Sequence, residues 1–248
     1  MRGRRLAVLG GCGGIGRGLV MAALQEDYAV AVLDLPASIE RHPVPVGVTA
    51  ITVDAADRSW VARAFAELEE VWGALDGFVN LAGFMTANRL LGDTPDEAFD
   101  EIMIGNLRAA FLTSKAALPL LRRGAEPSLV NISSGLAQNV RPGYGPYSAA
   151  KAGLIAMTKT LAIENAPVVR ANAVAPGAVD TAFLRGGTGR SDETGAVSLN
   201  IEAYAATIPL QRIAAVEDIV GPILFLLGSG SRYMTGQVLW VNGGAYMP

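Results

Sequence analysis

This sequence has almost no cysteine or histidine with which to build a disulfide or a soft-metal site, and no basic run to neutralise a polyanion. The 248 residues include one cysteine and one histidine, so an intrachain disulfide is impossible and a Cys/His metal site lacks its ligands. Only 17% of residues are charged and the net charge is −3. No Lys/Arg run follows a face or a tail, and the one local cluster is Arg2, Arg4 and Arg5. A nucleic-acid partner needs phosphate-neutralising charge that is missing. Long apolar runs are missing too. Leu6–Leu9 is broken by glycine after four residues, whereas a signal h-region needs roughly 7–15. No other stretch approaches the ~20 residues of a membrane span. The expectation is a cytoplasmic protein with no metal, nucleic-acid or membrane partner.

What the sequence does contain is apolar residue, 51% of the chain, enough for one large core. Chains of this length with α/β character are routinely one domain, so residues 1–248 are read as a single domain. Continuously apolar, β-rich runs fall at Leu6–Leu9, Tyr28–Leu33, Gly47–Val53, Leu75–Leu81, Ser128–Ile132, Val168–Val174 and Val238–Val241. Helix-compatible stretches separate them, at Ile15–Gln25, through Trp60 to Leu68, at Asp96–Ile104 and Leu107–Leu121, at Pro146–Glu164 and at Glu217–Leu227. Strands without polar alternation, separated by helices, predict a doubly wound parallel sheet of about seven strands covered on both faces. The irregular stretch at about 182–208, rich in Gly, Ser and Thr, is long enough to predict a lid.

Gly10-x-x-x-Gly14-Ile15-Gly16 stands between the first strand and the first helix. Glycines there permit a tight turn and let backbone N–H groups approach a diphosphate at the helix N-terminus. Asp34 closes the second strand, 18 residues after Gly16. A carboxylate at that point accepts both adenine-ribose hydroxyls and repels a 2′-phosphate. Neither Gly13 nor Leu35 is basic, which favours NAD over NADP. Asp54 and Ala55 end the third strand and can meet the adenine, while Asn80, Ala82 and Gly83 end the fourth beside the cofactor. All lie at carboxyl ends of strands, where open α/β sheets bind ligands.

Tyr147 and Lys151 are four residues apart near the start of a helix, hence on one face. A phenol titrates near 10, and burial raises it. An ammonium about 4–5 Å away, at an effective dielectric of about 20, favours phenolate by roughly 3–4 kcal/mol, which is about 2–3 pKa units. Tyr147 can therefore exchange protons near neutral pH. Ser134, 13 residues before Tyr147, can hold a substrate oxygen beside the phenol. Asn106, between two helical stretches, can link Lys151 to solvent through water.

The segments GGCGGIG (10–16), NLAG (80–83), GN (105–106), NISS (131–134), YSAAK (147–151) and NAVAPGAVDT (172–181), with the ending TGQVLWVNGG, make the chain resemble a standard-length short-chain dehydrogenase/reductase. The resemblance implies a Rossmann-type fold, Tyr147 as general acid/base, Lys151 lowering its pKa and holding the nicotinamide ribose, Ser134 orienting the carbonyl or alcohol, and Asn106 supporting a proton relay. It also implies that Pro176, Gly177, Val179 and Thr181 meet the nicotinamide end, and that the chain forms a homo-oligomer, a tetramer or a dimer. Two positions depart from the family pattern, Leu9 where Thr is usual and Leu81 where a second Asn is usual.

The function expected is reversible hydride transfer between NAD and a small-molecule secondary alcohol or ketone. The alternatives are an NADP-linked 3-ketoacyl-type reductase and a non-catalytic cofactor-binding regulatory protein. Candidate pocket residues mix Leu136, Phe183 and Leu184 with Gln138, Arg141 and Arg185, a set compatible with cyclic alcohols, hydroxy acids, dihydrodiols and sugars. His42, in an Arg-His-Pro turn, is read as a surface residue, and Cys12 as a small residue tolerated near a turn. Tyr144 is read as a pocket wall, Met21 and Trp60 as helix packing, and Trp72 as a helix-end contact.

Overall fold

The computed structural model describes residues 3–191, 193–195, 197 and 199–248. The apolar runs become seven parallel strands in one sheet, ordered β3-β2-β1-β4-β5-β6-β7. These are β1 (Arg5–Leu9), β2 (Ala29–Asp34), β3 (Thr49–Thr52), β4 (Gly77–Asn80), β5 (Ser128–Ile132), β6 (Arg170–Pro176) and β7 (Val238–Val241). The order reverses beside β1, and that switch point opens a crevice at the carboxyl ends of the strands.

Successive side chains of a strand point to opposite faces, and β1 shows the result. Ala7 and Leu9 pack with Phe65, Leu68, Phe78 and Leu121 on one face, under α3 (Arg58–Trp72) and α5 (Ala109–Leu121). Leu6 and Val8 pack with Leu19, Val32, Ile219 and Ile223 on the other, under α1 (Gly14–Gln25) and α8 (Val216–Leu227). Helix α6 (Gly145–Asn165) carries the tyrosine and lysine past β5 and β6. Gly73, at φ 68°, ends α3 in the left-handed conformation that glycine reaches without a Cβ clash.

Several expectations need correction. The stretches around Asn106 are not separate helices. Helix α4 (Asp96–Ile102) passes through a π-type turn, Met103–Arg108, straight into α5. The connection after Asp34 contains a short helix, α2 (Pro36–Arg41), with proline in its first turn, where the missing N–H does no harm. Met21 is half exposed on α1 and packs no core. Trp60 and Trp72 do pack against the β1 core. Arg5 is not a free terminal charge but pairs with buried Asp76 at 2.9 Å, and Arg4 donates to the Tyr28 hydroxyl and the Leu227 carbonyl. Arg2 lies outside the described residues, as do three positions of the expected lid, 192, 196 and 198. Within that segment the chain forms α7 (Ile201–Ala205), its first turn capped by Asn200.

Candidate active site

One cavity of about 320 Å³ runs along the carboxyl ends of the strands, from Asp34 and Asp54 to Tyr147 and Tyr204. Gly10, Gly14, Ile15 and Gly16 form its floor at one end. The backbone there requires glycine. Gly10 has φ 79°, and a Cβ on Gly16 would strike the Gly10 carbonyl oxygen. No side chain caps the first turn of α1 and no acid stands in it. Its first N–H groups are therefore free to face an anion such as a diphosphate.

Asp34 sits at the rim of this cradle. One carboxylate oxygen accepts from the Cys12 N–H at 2.9 Å and the other from the Leu35 N–H at 2.8 Å. Burial pushes its carboxyl upward, and those two N–H bonds pull it back. The Ser38 hydroxyl and the Cys12 thiol also act on the carboxylate, and ribose hydroxyls are the kind of donor that a carboxylate at this rim accepts. Asp54 turns back to accept from the Ala56 N–H at 2.9 Å, and Ala55 lines the wall beside it. Ala82, Gly83, Pro176, Gly177, Val179 and Thr181 line the next section. These donors and this cradle fit a nicotinamide dinucleotide. Asn80 is placed differently from the expectation. It is buried behind the wall, accepting from the Ala82 N–H at 3.1 Å and donating to Asn131 across the strands. Its side chain shapes the β4 turn and does not line the cavity. Cys12 is buried as well, and burial, with Asp34 beside it, pushes its thiol up to about 12. It is an unreactive packing residue.

At the chemical end Tyr147, Lys151 and Ser134 converge on the cavity. The Tyr147 and Ser134 hydroxyls lie within hydrogen-bonding reach of each other, and both residues line the cavity. Burial pushes the phenol pKa upward, and the nearby Ser134 hydroxyl opposes the shift. Ser134 itself accepts from the Leu136 N–H at 3.2 Å, leaving its proton for a substrate oxygen. Lys151 Nζ lies 5.6 Å from the Tyr147 ring centroid and donates to the Ile132 carbonyl at 3.0 Å. Burial brings its ammonium down to about 8. Ser133, next to Ser134, points away and donates to the Lys151 carbonyl at 2.9 Å, fixing α6 against β5.

Asn106 is fully engaged. Its amide donates to the Phe84 and Ile102 carbonyls, each at 3.0 Å, and its oxygen accepts from the Phe84 N–H at 3.3 Å. It closes the π-type turn onto the strand-end loop and makes no direct bond to Lys151. A Cβ on Gly83 would come within 2.6 Å of the Asn106 oxygen and 3.0 Å of Lys151 Nζ. Gly83 is thus the spacer that lets asparagine, lysine and cofactor wall meet.

The substrate side is built from segments far apart in sequence. Phe183 lies 6.1 Å from the Tyr147 ring, and Leu136, Arg141, Tyr144, Tyr204 and Tyr246 complete the wall. No sequence signal showed how the segment after Phe183 is held. Glu193 pairs with Arg41 and His42, both at 3.1 Å, which fastens that segment to the end of α2, the helix that follows Asp34. His42 is a docking contact, not a surface residue without partners. Proximity of that pair could not be read from residues 151 positions apart.

Residues 10–246 match the family model described as enoyl-(acyl carrier protein) reductase. The chain is 34% identical over 250 residues to a 3-oxoacyl-(acyl-carrier-protein) reductase of Staphylococcus aureus, covering 97% of each chain. It is 34% identical over 257 residues to a short-chain type dehydrogenase/reductase of Picea abies, covering 98% of this chain and 92% of that one. The fold superimposes on the aldohexose dehydrogenase of Thermoplasma acidophilum with TM-score 0.87, 27% identity and coverage of 100% and 96%. It also matches a 3-ketoacyl-(acyl-carrier-protein) reductase of Brucella melitensis solved with NADH, at TM-score 0.88, 25% identity and 99% coverage of both. With the glycine cradle and the Ser-Tyr-Lys cluster at one crevice, these likenesses mean that the chain belongs to the short-chain dehydrogenase/reductase family, oxidoreductases that use a nicotinamide cofactor on carbonyl and alcohol groups.

Proposed function

We propose that the chain interconverts a secondary alcohol and its ketone with NAD as the redox partner. The observation that carries this reading is the cluster of Tyr147, Ser134 and Lys151 on one cavity wall, with the Ser134 hydroxyl on the phenol and Lys151 Nζ 5.6 Å from its ring centroid. A nicotinamide held by the cradle at residues 10–16 and the wall at residues 176–181 would supply the acceptor, or the source, of the hydride exchanged with the carbinol carbon. Ser134 Oγ–H donates to the substrate oxygen and aims it at the phenol. In the oxidising direction Tyr147, as phenolate, takes the hydroxyl proton, and in the reducing direction its O–H returns it. Lys151 stabilises the phenolate by charge. Asn106 holds the π-type turn and the Gly83 loop in the arrangement that brings Lys151 under the ring. Residues 182–208 close over the substrate as a lid, and residues 1–248 act as one catalytic unit.

Asp34 supports NAD over NADP, since a 2′-phosphate would set charge against charge at this half-buried carboxylate. A second reading, an NADP-linked 3-ketoacyl-type reductase, is favoured by the named activity of the Staphylococcus relative. Steady-state kcat/KM with NADH and NADPH separates the two. We expect NADH to be preferred by at least about tenfold, and Asp34→Ala to erase that preference. An equal or better NADPH value in the wild type overturns the cofactor assignment. Tyr147→Phe is expected to lower kcat by about 100-fold or more, and unchanged turnover sinks the mechanism.

We also propose a homo-oligomer, a dimer or tetramer. Phe99, Ile104, Phe111 and Ile163 are exposed apolar side chains on α4 to α6, and Leu210, Phe225 and Met247 are others towards the C-terminus. An enzyme drawing on free NAD is placed in the cytoplasm. Among the described residues no helix is long and apolar enough to cross a membrane.

A further inference from the structure

We propose that the substrate carries an anionic group, a carboxylate or a phosphate, remote from its reacting carbon, and that Arg141 reads it. This rests on the reading of the site as an alcohol/ketone oxidoreductase and names its substrate class.

The charges along the cavity are segregated. Among the described lining residues the only carboxylates are Asp34 and Asp54, at the ends of β2 and β3, where the adenosine half of a dinucleotide belongs. The wall beyond Ser134 and Tyr147 carries cations without acids. Two guanidiniums line the cavity, Arg141 and Arg190, and their states differ. Arg190 is committed, with Glu101 at 3.3 Å and its guanidinium 3.6 Å from the Phe84 ring centroid. Arg141 has no ion pair and no side-chain hydrogen bond among the described residues. Its side chain is exposed, and its guanidinium lies over the face of Tyr204, at 5.0 Å from the ring centroid.

That arrangement leaves five N–H donors in a planar fork with no acceptor from the protein. Stacking on Tyr204 restricts the fork, so less rotamer freedom is lost when an anion binds. The position also suits the task. Arg141 lies six residues before Tyr147 in the turn leading into α6, and Tyr204 lies on α7 of the lid. An anion held by Arg141 would sit at the seam between lid and body, where closure removes water and strengthens the charge-assisted bonds.

The test uses matched charged and neutral substrates with NADH. The carboxylate arm pairs 3-oxobutanoate, 4-oxopentanoate and 5-oxohexanoate with their methyl esters. The phosphate arm pairs dihydroxyacetone phosphate with dihydroxyacetone. For the wild type and Arg141→Gln, the quantity read is the charged-to-neutral ratio of kcat/KM within each pair. We expect at least one pair to favour the charged member by more than about tenfold in the wild type, and Arg141→Gln to lower that ratio by about tenfold or more. The arm that responds identifies carboxylate or phosphate. A ratio that does not change between the two proteins in any pair overturns the proposal. Titrating the same compounds into the enzyme–NADH complex, followed by NADH fluorescence, gives a readout that needs no turnover. Arg141-dependent anion binding without turnover of any ketone would retain the anion site and refute the proposed reaction. Tyr147-dependent turnover with no charge preference would do the reverse. Absence of both turnover and Arg141-dependent binding would refute both.

Discussion

Replacing Lys151 by methionine keeps most of the side-chain bulk and removes the charge, so the rate measures what the ammonium does for Tyr147. The relevant separation is 5.6 Å from Nζ to the phenol ring. At an effective dielectric of about 20, one charge pair at that distance is worth about 3 kcal/mol, or about 2 pKa units. Burial acts on the phenol in the opposite direction. The Ser134 hydroxyl opposes that rise, and the variant measures how much the ammonium adds to it. Alcohol oxidation needs the phenolate, so kcat/KM rises with pH through the apparent pKa of the site. Removing the charge moves that rising limb about 2 units upward, and at a pH well below it the rate falls about 100-fold.

The wild-type limb is a property of the pair. Burial brings Lys151 down to about 8 and pushes the phenol up, and because the two interact, the apparent values of the site belong to the pair and not to either group alone. The assay is log kcat/KM for a secondary alcohol at saturating NAD from about pH 6 to about pH 10, for the wild type, Lys151→Met and Lys151→Arg. The arginine variant keeps the charge and is expected to retain the limb. Saturating NAD removes any loss of cofactor affinity from the comparison, and thermal unfolding of each protein removes loss of fold. A lowered plateau with an unshifted limb in Lys151→Met would refute the electrostatic account. It would leave the lysine only its bond to the Ile132 carbonyl, 3.0 Å long.

Gly83→Ala tests the spacer between Asn106 and Lys151. Its Cβ would enter at 2.6 Å from the Asn106 oxygen and 3.0 Å from Nζ, and overpacking of this kind costs about 1–3 kcal/mol. The expected result is a kcat loss of about tenfold or more that exceeds what the lowered melting temperature accounts for; a variant with wild-type kcat would show that the three groups need no such fit. Asp76→Asn tests the Arg5 pair. Burial pushes the Asp76 carboxyl up, but bonds from the Arg5 side chain, the Arg5 N–H and the Ala125 N–H outweigh it and hold it below its usual range. A carboxyl depressed on folding stabilises the protein above its unfolded pKa, and that contribution is lost as pH falls through the folded value. Breaking one partner of a buried pair costs roughly 3 kcal/mol, so Tm at pH 7 should fall by about 6–12 °C. The gap should narrow below about pH 4, and a gap of constant size through that range contradicts the assignment.

The parts of this molecule legible from sequence are those whose signal is local. A strand buried on both faces must be apolar along its whole length, which made the central strands readable. Edge strands β3 and β7, only partly buried, were read from their β-rich runs. A site at strand ends must begin where the apolar run stops. Gly10, Asp34, Ala82 and Pro176 all stand at such stops. The parts that were not legible depend on partners distant in the chain. The π-type turn forms where the Asn106 amide meets the Phe84 backbone, 22 residues away, and nothing in Met103–Arg108 announces it. The same reason left Gln138, Arg141 and Arg185 equivalent as polar candidates for the substrate wall. Folding separates them. Gln138 accepts from the Tyr246 hydroxyl at 3.0 Å, and Arg185 turns to the Thr181 carbonyl at 3.4 Å and to Asp180 at 3.9 Å. Gln138 is engaged across the fold and Arg185 by its own local turn, and neither lines the cavity. Arg141 alone of the three lines it, exposed and with no side-chain acceptor among the described residues, so its donors are the ones a substrate anion can take over from water.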